Sequence, residues 1–257
     1  MDTVTVLTDF GAKDPYVGVM KGVMLAINPR LSVIDITHEV EAQDVREACF
    51  LIGEYYPYFP EGTVHLCVVD PTVGSARKPL VVVKDGHSFV GPDNGLFSLL
   101  FAAGDASAHE IVDRRFMREP VSATFHGRDI FAPAAAHLSA GTDPSEFGPV
   151  VEEPVMLPAL FPTMEGGVME GEIVRFDRFG NGISNITFDA FEAFTGGIPF
   201  LVELCGLVFS SLSRSYYEDR HTCLVGSSGY LEFGLFKANL AEELSLRKGE
   251  RVKVTRR

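Results

Sequence analysis

Thr3-Val4-Thr5-Val6-Leu7-Thr8, running straight into Asp9-Phe10-Gly11 and then Asp14-Pro15, decides the fold class. The first six residues are β-branched or apolar, which is strand chemistry. Asp14-Pro15 offers an N-cap and an N1 proline for a helix over 15–28, where Val17, Met20, Met24 and Ile27 recur at three- and four-residue spacing and Pro29 ends the run. Working outward, the pattern repeats with a strand over 32–37, a helix over 42–55 and a strand over 64–69 that ends at Asp70. Alternation of this kind predicts an α/β domain with a central sheet flanked by helices. Asp85-Gly86, between apolar runs at 79–84 and 88–90, signals a hairpin, and Phe131, Ala135 and Leu138 mark one side of a helix over 129–139.

The composition then changes. Pro149, Pro154, Pro158, Pro162 and Gly166-Gly167 punctuate a stretch with little periodicity, so a linker is expected over 151–170, after an α/β domain over 1–150. Short strands over 172–176, 183–188, 200–209, 222–225, 230–233 and 251–255 predict a smaller β-rich, barrel-like domain over 171–257. At roughly 150 residues per domain, the length by itself suits one large domain or two modest ones. Hydrophobic residues at 46% and charged residues at 22% exclude intrinsic disorder. A net charge of −13, concentrated in residues 1–150, argues against a duplex nucleic-acid partner, which needs a basic surface. Apolar stretches such as 96–103 and 201–209 fall well short of the ~20 residues of a membrane span. The N-terminus lacks a basic region followed by an apolar run, and Cys49, Cys67, Cys205 and Cys223 lack zinc-like spacing. A reduced, cytoplasmic setting is expected.

Three expected strand ends carry polar residues where open sheets keep their ligands: Asp9, His38 after Asp35-Ile36-Thr37, and Asp70. An aspartate there suits the vicinal hydroxyls of a ribose, although Asp9 and Asp14 equally suit a turn and a helix cap. Asp70-Pro71-Thr72-Val73-Gly74 with Arg77 allows a guanidinium to fold back on the carboxylate. A carboxylate held this way stays ionised and is able to orient a water; a surface ion pair is the plainer alternative. Phe125-His126-Gly127-Arg128-Asp129 puts an imidazole beside a glycine just before a helix. In the second half, the 177–185 loop and Gly226-Ser227-Ser228-Gly229 read either as tight turns or as places where backbone amides meet a ligand. No P-loop, GxGxxG or HExxH pattern occurs, so neither a cofactor nor a metal is expected.

In order, these segments resemble the S-adenosyl-L-methionine (SAM) hydroxide adenosyltransferases, relatives of the fluorinases and chlorinases. The anchors are Leu7-Thr8-Asp9-Phe10-Gly11 with Asp14, Val19-Met20-Lys21-Gly22, Asp35-Ile36-Thr37-His38, Phe59-Pro60-Glu61-Gly62-Thr63-Val64, Val69-Asp70-Pro71 with Val73-Gly74, Pro92-Asp93-Asn94-Gly95-Leu96, the 125–129 run and the 177–185 loop. The resemblance spans nearly the whole chain. It implies hydrolysis of SAM to adenosine and L-methionine by water or hydroxide, with Asp70, Arg77 and His126 catalytic. It also implies substrate contacts from Asp9, Phe10, Asp177, Asn181 and Ser227, Asp9 holding the ribose hydroxyls. A homotrimer with sites between neighbouring subunits belongs to the same implication. Ser228 stands where the halogenases have an arginine that grips the methionine carboxylate, and Gln43 and Ile183 replace aromatic residues that flank their ligand. Two other readings stay open from residue types alone: a divalent-metal nucleoside or phosphoester hydrolase using Asp9, Asp14, Asp35, His38 and Asp70, and a non-catalytic nucleoside-binding protein.

Overall fold

The computed structural model describes residues 2–257. The chain divides into two compact units, one ending at Pro158 and the other spanning Ala159–Arg257. In chain order the first contains β1 (Thr3–Thr8), α1 (Tyr16–Ile27), β2 (Ser32–Thr37), α2 (Val45–Tyr55), β3 (Val64–Val68), β4 (Pro79–Lys84), β5 (His87–Pro92), α3 (Ser98–Ala102), β6 (Ser107–Glu110) and α4 (Ala132–Ser139). Among the described residues its strands form a six-stranded sheet in the order β2-β1-β3-β5-β4-β6. β2, β1, β3 and β5 run parallel, whereas β4 is antiparallel to β5 and β6.

Both faces of this sheet are covered, which is why β1 is apolar or β-branched throughout. Val4, Val6, Leu66, Val68, Val81 and Val90 pack with Met20 and Met24 of α1 and the alanines of α4. Leu7, Cys67, Leu80, Val82 and Phe89 point the other way, toward Ala48 and Ile52 of α2 and Leu100 of α3. Each fully buried Leu or Phe here contributes on the order of 1.5–3 kcal/mol. These two layers of helices around a mixed sheet are the flanked α/β arrangement expected from the alternation.

Two helix starts differ from expectation. Asp14 makes no capping bond; Pro15 occupies the N-cap of α1 and its carbonyl takes the Val19 N–H at 2.9 Å. The helix expected over 42–55 begins only at Val45, because the Asp44 carboxylate caps it by accepting the Glu47 N–H at 2.8 Å. Residues 151–158 are part of the first unit, with Val155 N–H donating to Asp93 and Leu157 N–H to Ser98, both at 2.8 Å.

The second unit contains β7 (Thr163–Glu165), β8 (Val168–Phe176), β9 (Gly182–Thr187), α5 (Phe188–Thr195), β10 (Phe200–Leu204), β11 (Leu207–Phe209), β12 (His221–Val225), β13 (Tyr230–Leu235), α6 (Leu240–Leu244) and β14 (Arg251–Arg256). Its strands are antiparallel in the order β11-β10-β14-β8-β9-β13-β12, with β7 paired on β8. Val202, Val254, Met169, Ile186, Leu231 and Cys223, drawn from across this order, share one core, so the sheet curls into a barrel-like form around it. Register shifts in β8–β9 and β9–β13 supply bends. The strand expected over 200–209 breaks at Cys205-Gly206, both in the left-handed region, into a hairpin. The apolar run beyond 187 is helical because the Thr187 hydroxyl accepts the Ala190 N–H and caps α5.

Candidate active site

Asp70 lies just past β3, and the Asn94 side chain holds that strand end by donating to the Val69 carbonyl at 2.9 Å. The chain then turns sharply at Gly74, whose φ is +81°; a side chain there would run into the Ala123 carbonyl. This turn returns Arg77 to Asp70. Arg77 Nε donates to both carboxylate oxygens at 3.1 and 3.0 Å, and Nη2 donates to Oδ2 at 2.5 Å. Both side chains are buried, Arg77 6% exposed and Asp70 5%. The surface ion pair is thereby set aside.

The same Nη2 also donates to His126 Nδ1 at 2.7 Å. An arginine is a donor only, so Nδ1 is the acceptor and the neutral ring carries its proton on Nε2. Burial, and then the adjacent Arg77 charge, hold the His126 pKa below the ordinary imidazole value, against the pull of Asp70 and Asp129. Arg77 further sits 5.2 Å from the centroid of the Phe131 ring. Its Nη1 is buried and finds no protein acceptor among the described residues.

His126 owes its position to an irregular turn. Gly127–Phe131 forms a π-helical turn ahead of α4, where a regular helix was expected only from residue 129. Gly127 fits because a side chain there would press on the Met20 sulfur at 2.9 Å. Asp129, fully buried, clamps the loop by accepting from Arg128 Nε and Nη2 at 2.7 Å and from the Ser122 N–H at 2.9 Å. Burial pushes its carboxyl pKa up, but these donors, Arg128 foremost, outweigh it and leave the value lowered. Asn94 and Asp129 are positioning groups that residue type alone did not single out, although both fall within the quoted anchor motifs.

Asp9 and Phe10 occupy the turn after β1 in the same unit. Asp9 Oδ2 accepts the Gln43 N–H at 2.8 Å. Phe10 meets Tyr16 and Phe125 edge-on, at 5.8 and 6.3 Å between centroids, and Tyr16 meets Phe125 at 5.3 Å. Phe10, Tyr16, Ser122, Thr124, Phe125 and Arg128 line a pocket of about 390 Å³. Phe125 of this pocket immediately precedes His126 in the chain.

The remaining expected residues belong to the second unit. Asp177 accepts from the Phe179 and Asn181 N–H groups at 2.9 and 2.8 Å and from Asn181 Nδ2 at 2.9 Å. Asn181 lines a pocket of about 430 Å³ with Phe179, Tyr216, Leu235, Lys237 and Ala238. Tyr216 donates to Glu232 across that side of the barrel. Ser227 is exposed in the β12–β13 turn.

The five residues of the metal-hydrolase alternative are not gathered as ligands. Asp70 is spent on Arg77, Asp35 on Lys21 and His38, and Asp9 on a backbone amide. A guanidinium on the central carboxylate opposes a second cation there. The described carboxylates that do come within metal-ligating distance of one another are Glu41, Asp44 and Glu47, none of them in that set.

An α/β unit with a buried carboxylate–guanidinium–imidazole set beside a strand-end aspartate, followed by an antiparallel barrel-like unit, defines a two-domain enzyme class. The comparisons agree. Residues 4–148 match the SAM hydroxide adenosyltransferase N-terminal domain and residues 171–253 its C-terminal domain. An (R)-S-adenosyl-L-methionine hydrolase of Thermus thermophilus is 38% identical over 99% of this chain and 100% of its own length. A fluorinase of an Actinoplanes species is 26% identical over 98% of this chain and 97% of its own. The crystal structure of an uncharacterized conserved protein from Thermotoga maritima superposes with a TM-score of 0.89 at 34% identity, covering 98% of this chain and all of that one. The chain belongs to the SAM hydroxide adenosyltransferase family.

Proposed function

We infer that this protein hydrolyses SAM to adenosine and L-methionine, water or hydroxide attacking ribose C5′ in line with the sulfonium. The observation that carries the reading is the buried Asp70–Arg77–His126 set, in a chain that aligns end to end with a hydrolase of the same family. The C5′–S bond breaks and its electron pair stays on sulfur as a neutral thioether, so no general acid is required. The new C5′–O bond comes from water, and the demand falls on orienting and deprotonating that water.

In this reading Asp70 accepts the water's hydrogen bond and its proton. Arg77 fixes the carboxylate, and its Nη1, buried without an acceptor among the described residues, is a donor available to an oxygen at the site. His126 is not the base, because Nδ1 is already occupied by Arg77; its Nε2–H is left to orient the nucleophile. Positioned proton acceptance of this kind is worth about 10²–10⁴ in rate. A site that excludes bulk water strengthens the attraction between hydroxide and sulfonium as they meet.

Asp9 with Phe10 would hold the ribose, and Asp177, Asn181 and Ser227 the methionine portion. Homotrimer assembly, with residues of the second unit serving a neighbouring copy's site, belongs to the same reading. Light scattering tests the trimer. A cytoplasmic, reducing setting suits the four free thiols. Among the described residues no helix is long and apolar enough to cross a membrane.

The direct test incubates purified protein with SAM in H₂¹⁸O. Adenosine carrying ¹⁸O at the 5′ position and unlabelled methionine are expected, and Asp70→Ala should abolish both. A wild-type protein releasing neither product overturns the assignment.

A further inference from the structure

We propose that Lys21, Asp35, His38 and Thr8 form a polar chain that sets the position of the Asp9 turn, making His38 a positioning residue for the ribose. The inference rests on the reading of Asp9 as the ribose-binding carboxylate, and its own basis is the β1–β2 pairing.

Parallel pairing runs in step from Thr3 with Ser32 to Val6 with Asp35, and then skips Ile36, so that Leu7 pairs with Thr37. Without the skip Thr8 would stand opposite Thr37; with it, the residue opposite Thr8 is His38. The side chains meet accordingly, Thr8 Oγ1 lying 2.9 Å from His38 Nδ1. Bulges recur next to active sites because one extra residue re-aims the side chains that follow.

The donors and acceptors run in one direction, with the Asp35–His38 link a close electrostatic contact and not a hydrogen bond. Lys21 Nζ donates to Asp35 Oδ2 at 2.6 Å. Asp35 Oδ1 lies 3.0 Å from His38 Nε2, off the line of a hydrogen bond but close enough to favour the proton on that nitrogen. Nδ1 is then the acceptor for the Thr8 hydroxyl, whose oxygen in turn accepts the Phe10 N–H at 3.2 Å. The His38 carbonyl meanwhile accepts the Gly11 N–H at 2.7 Å, with Gly11 at φ +64°. His38 therefore grips both ends of the turn, Thr8 by side chain and Gly11 by main chain, and Asp9 and Phe10 lie between the two grips. The His38 side chain is 15% exposed, whereas Asp35 at 42% and Lys21 at 31% reach solvent. The chain thus links the surface to the turn that carries Asp9.

The experiment measures calorimetric binding of adenosine and of 2′,3′-dideoxyadenosine to the full chain, beside steady-state turnover of SAM. His38→Ala should weaken adenosine by about tenfold and leave the dideoxy compound unchanged. His38→Asn, whose Oδ1 offers the Thr8 hydroxyl an acceptor, should recover most of the loss. In an Asp9→Ala background His38→Ala should add nothing further for adenosine, because the effect is transmitted through Asp9. If His38→Ala does not fold, Asp35→Asn at the exposed carboxylate carries the test, with about a threefold loss confined to adenosine.

An unchanged adenosine-to-dideoxyadenosine ratio in a folded His38 or Asp35 variant overturns the proposal. So does an equal loss with and without Asp9. A wild-type protein that discriminates the two nucleosides but does not turn over SAM refutes the hydrolase reading alone, provided the His38 variants still lose discrimination. A wild-type protein that does not discriminate them refutes the ribose reading and this inference together.

Discussion

Replacing Arg77 by lysine separates the charge at the site from its geometry. Arg77 directs Nε to both oxygens of Asp70 at 3.1 and 3.0 Å and shares Nη2 between Asp70 Oδ2 at 2.5 Å and His126 Nδ1 at 2.7 Å. A lysine ammonium keeps one charged contact to the carboxylate, but cannot form a planar fork and reach the imidazole as well. Each charge-assisted hydrogen bond is worth about 1.5–3 kcal/mol. Losing the second arm and the His126 contact, partly offset by the retained ion pair, leaves about 3 kcal/mol, or about a 100-fold fall in kcat/KM. The fold should suffer less, because Asp70 keeps a cation. About 1–2 kcal/mol is expected for Arg77→Lys, against roughly 3–5 kcal/mol for Arg77→Met, which strands a buried carboxylate. Adenosine release followed by chromatography gives the first number and thermal unfolding the second; Arg77→Lys should melt about 2–8 °C low. If folded Arg77→Lys retains kcat/KM within threefold of wild type, the fork and its grip on His126 are irrelevant to the reaction and the assigned roles are wrong.

The pH dependence follows from the His126 tautomer. Its depressed pKa means the neutral ring is the native form, so kcat/KM should be level above about pH 6.5 and fall as pH drops toward the folded value. Arg77→Met, by removing the neighbouring positive charge, should move that acid limb to higher pH; an unmoved limb would show that another group governs it. His65 gives a stability counterpart. It is fully buried, with Nδ1 2.7 Å from the Thr5 hydroxyl and Nε2 3.1 Å from His87, and its pKa is pushed from 6.5 down to about 3, by burial first and His87 second. The unfolded chain therefore binds the extra proton, stability is complete above about pH 6.5 and is lost toward pH 3, by on the order of 5 kcal/mol in all. His65→Gln should flatten the plot of stability against pH in that window by about one proton, as read from urea midpoints; an unaltered slope counts against this account. Turnover should persist in excess EDTA, since Asp70 is held by a guanidinium where a metal would need it free, and metal-restorable loss on chelation would revive the metal-hydrolase alternative.

Much of the first unit was legible because a strand buried on both faces and a helix buried on one leave periods of two and about 3.6 in the sequence. The run 3–8, the spacing of Met20, Met24 and Ile27, and the strand ends at Asp9, His38 and Asp70 all follow from that local signal. The turn chemistry at Gly74 and Asp85-Gly86 was equally local. Helix starts were less so: Asp14 stands before α1 much as Asp44 stands before α2, yet only Asp44 accepts a helix N–H, and only the path of the chain decides that.

Other features lay beyond any window of sequence. The order β3-β5-β4, the skipped Ile36 that sets His38 against Thr8, and the π turn beneath His126 arise where packing of distant segments overrides local preference. The site itself is of this kind. Residue types alone suggested that Arg77 folds back on Asp70, seven positions away. They were silent on its second bond to His126, 49 positions away, and on Asn94 reaching back 25 positions to the Val69 carbonyl. Side-chain hydrogen bonds between segments far apart in the chain leave no periodic trace, since either partner alone looks like an ordinary polar residue in a loop. They exist only once the sheet has aligned the ends of its strands, and that alignment is what turns three scattered side chains into one polar set.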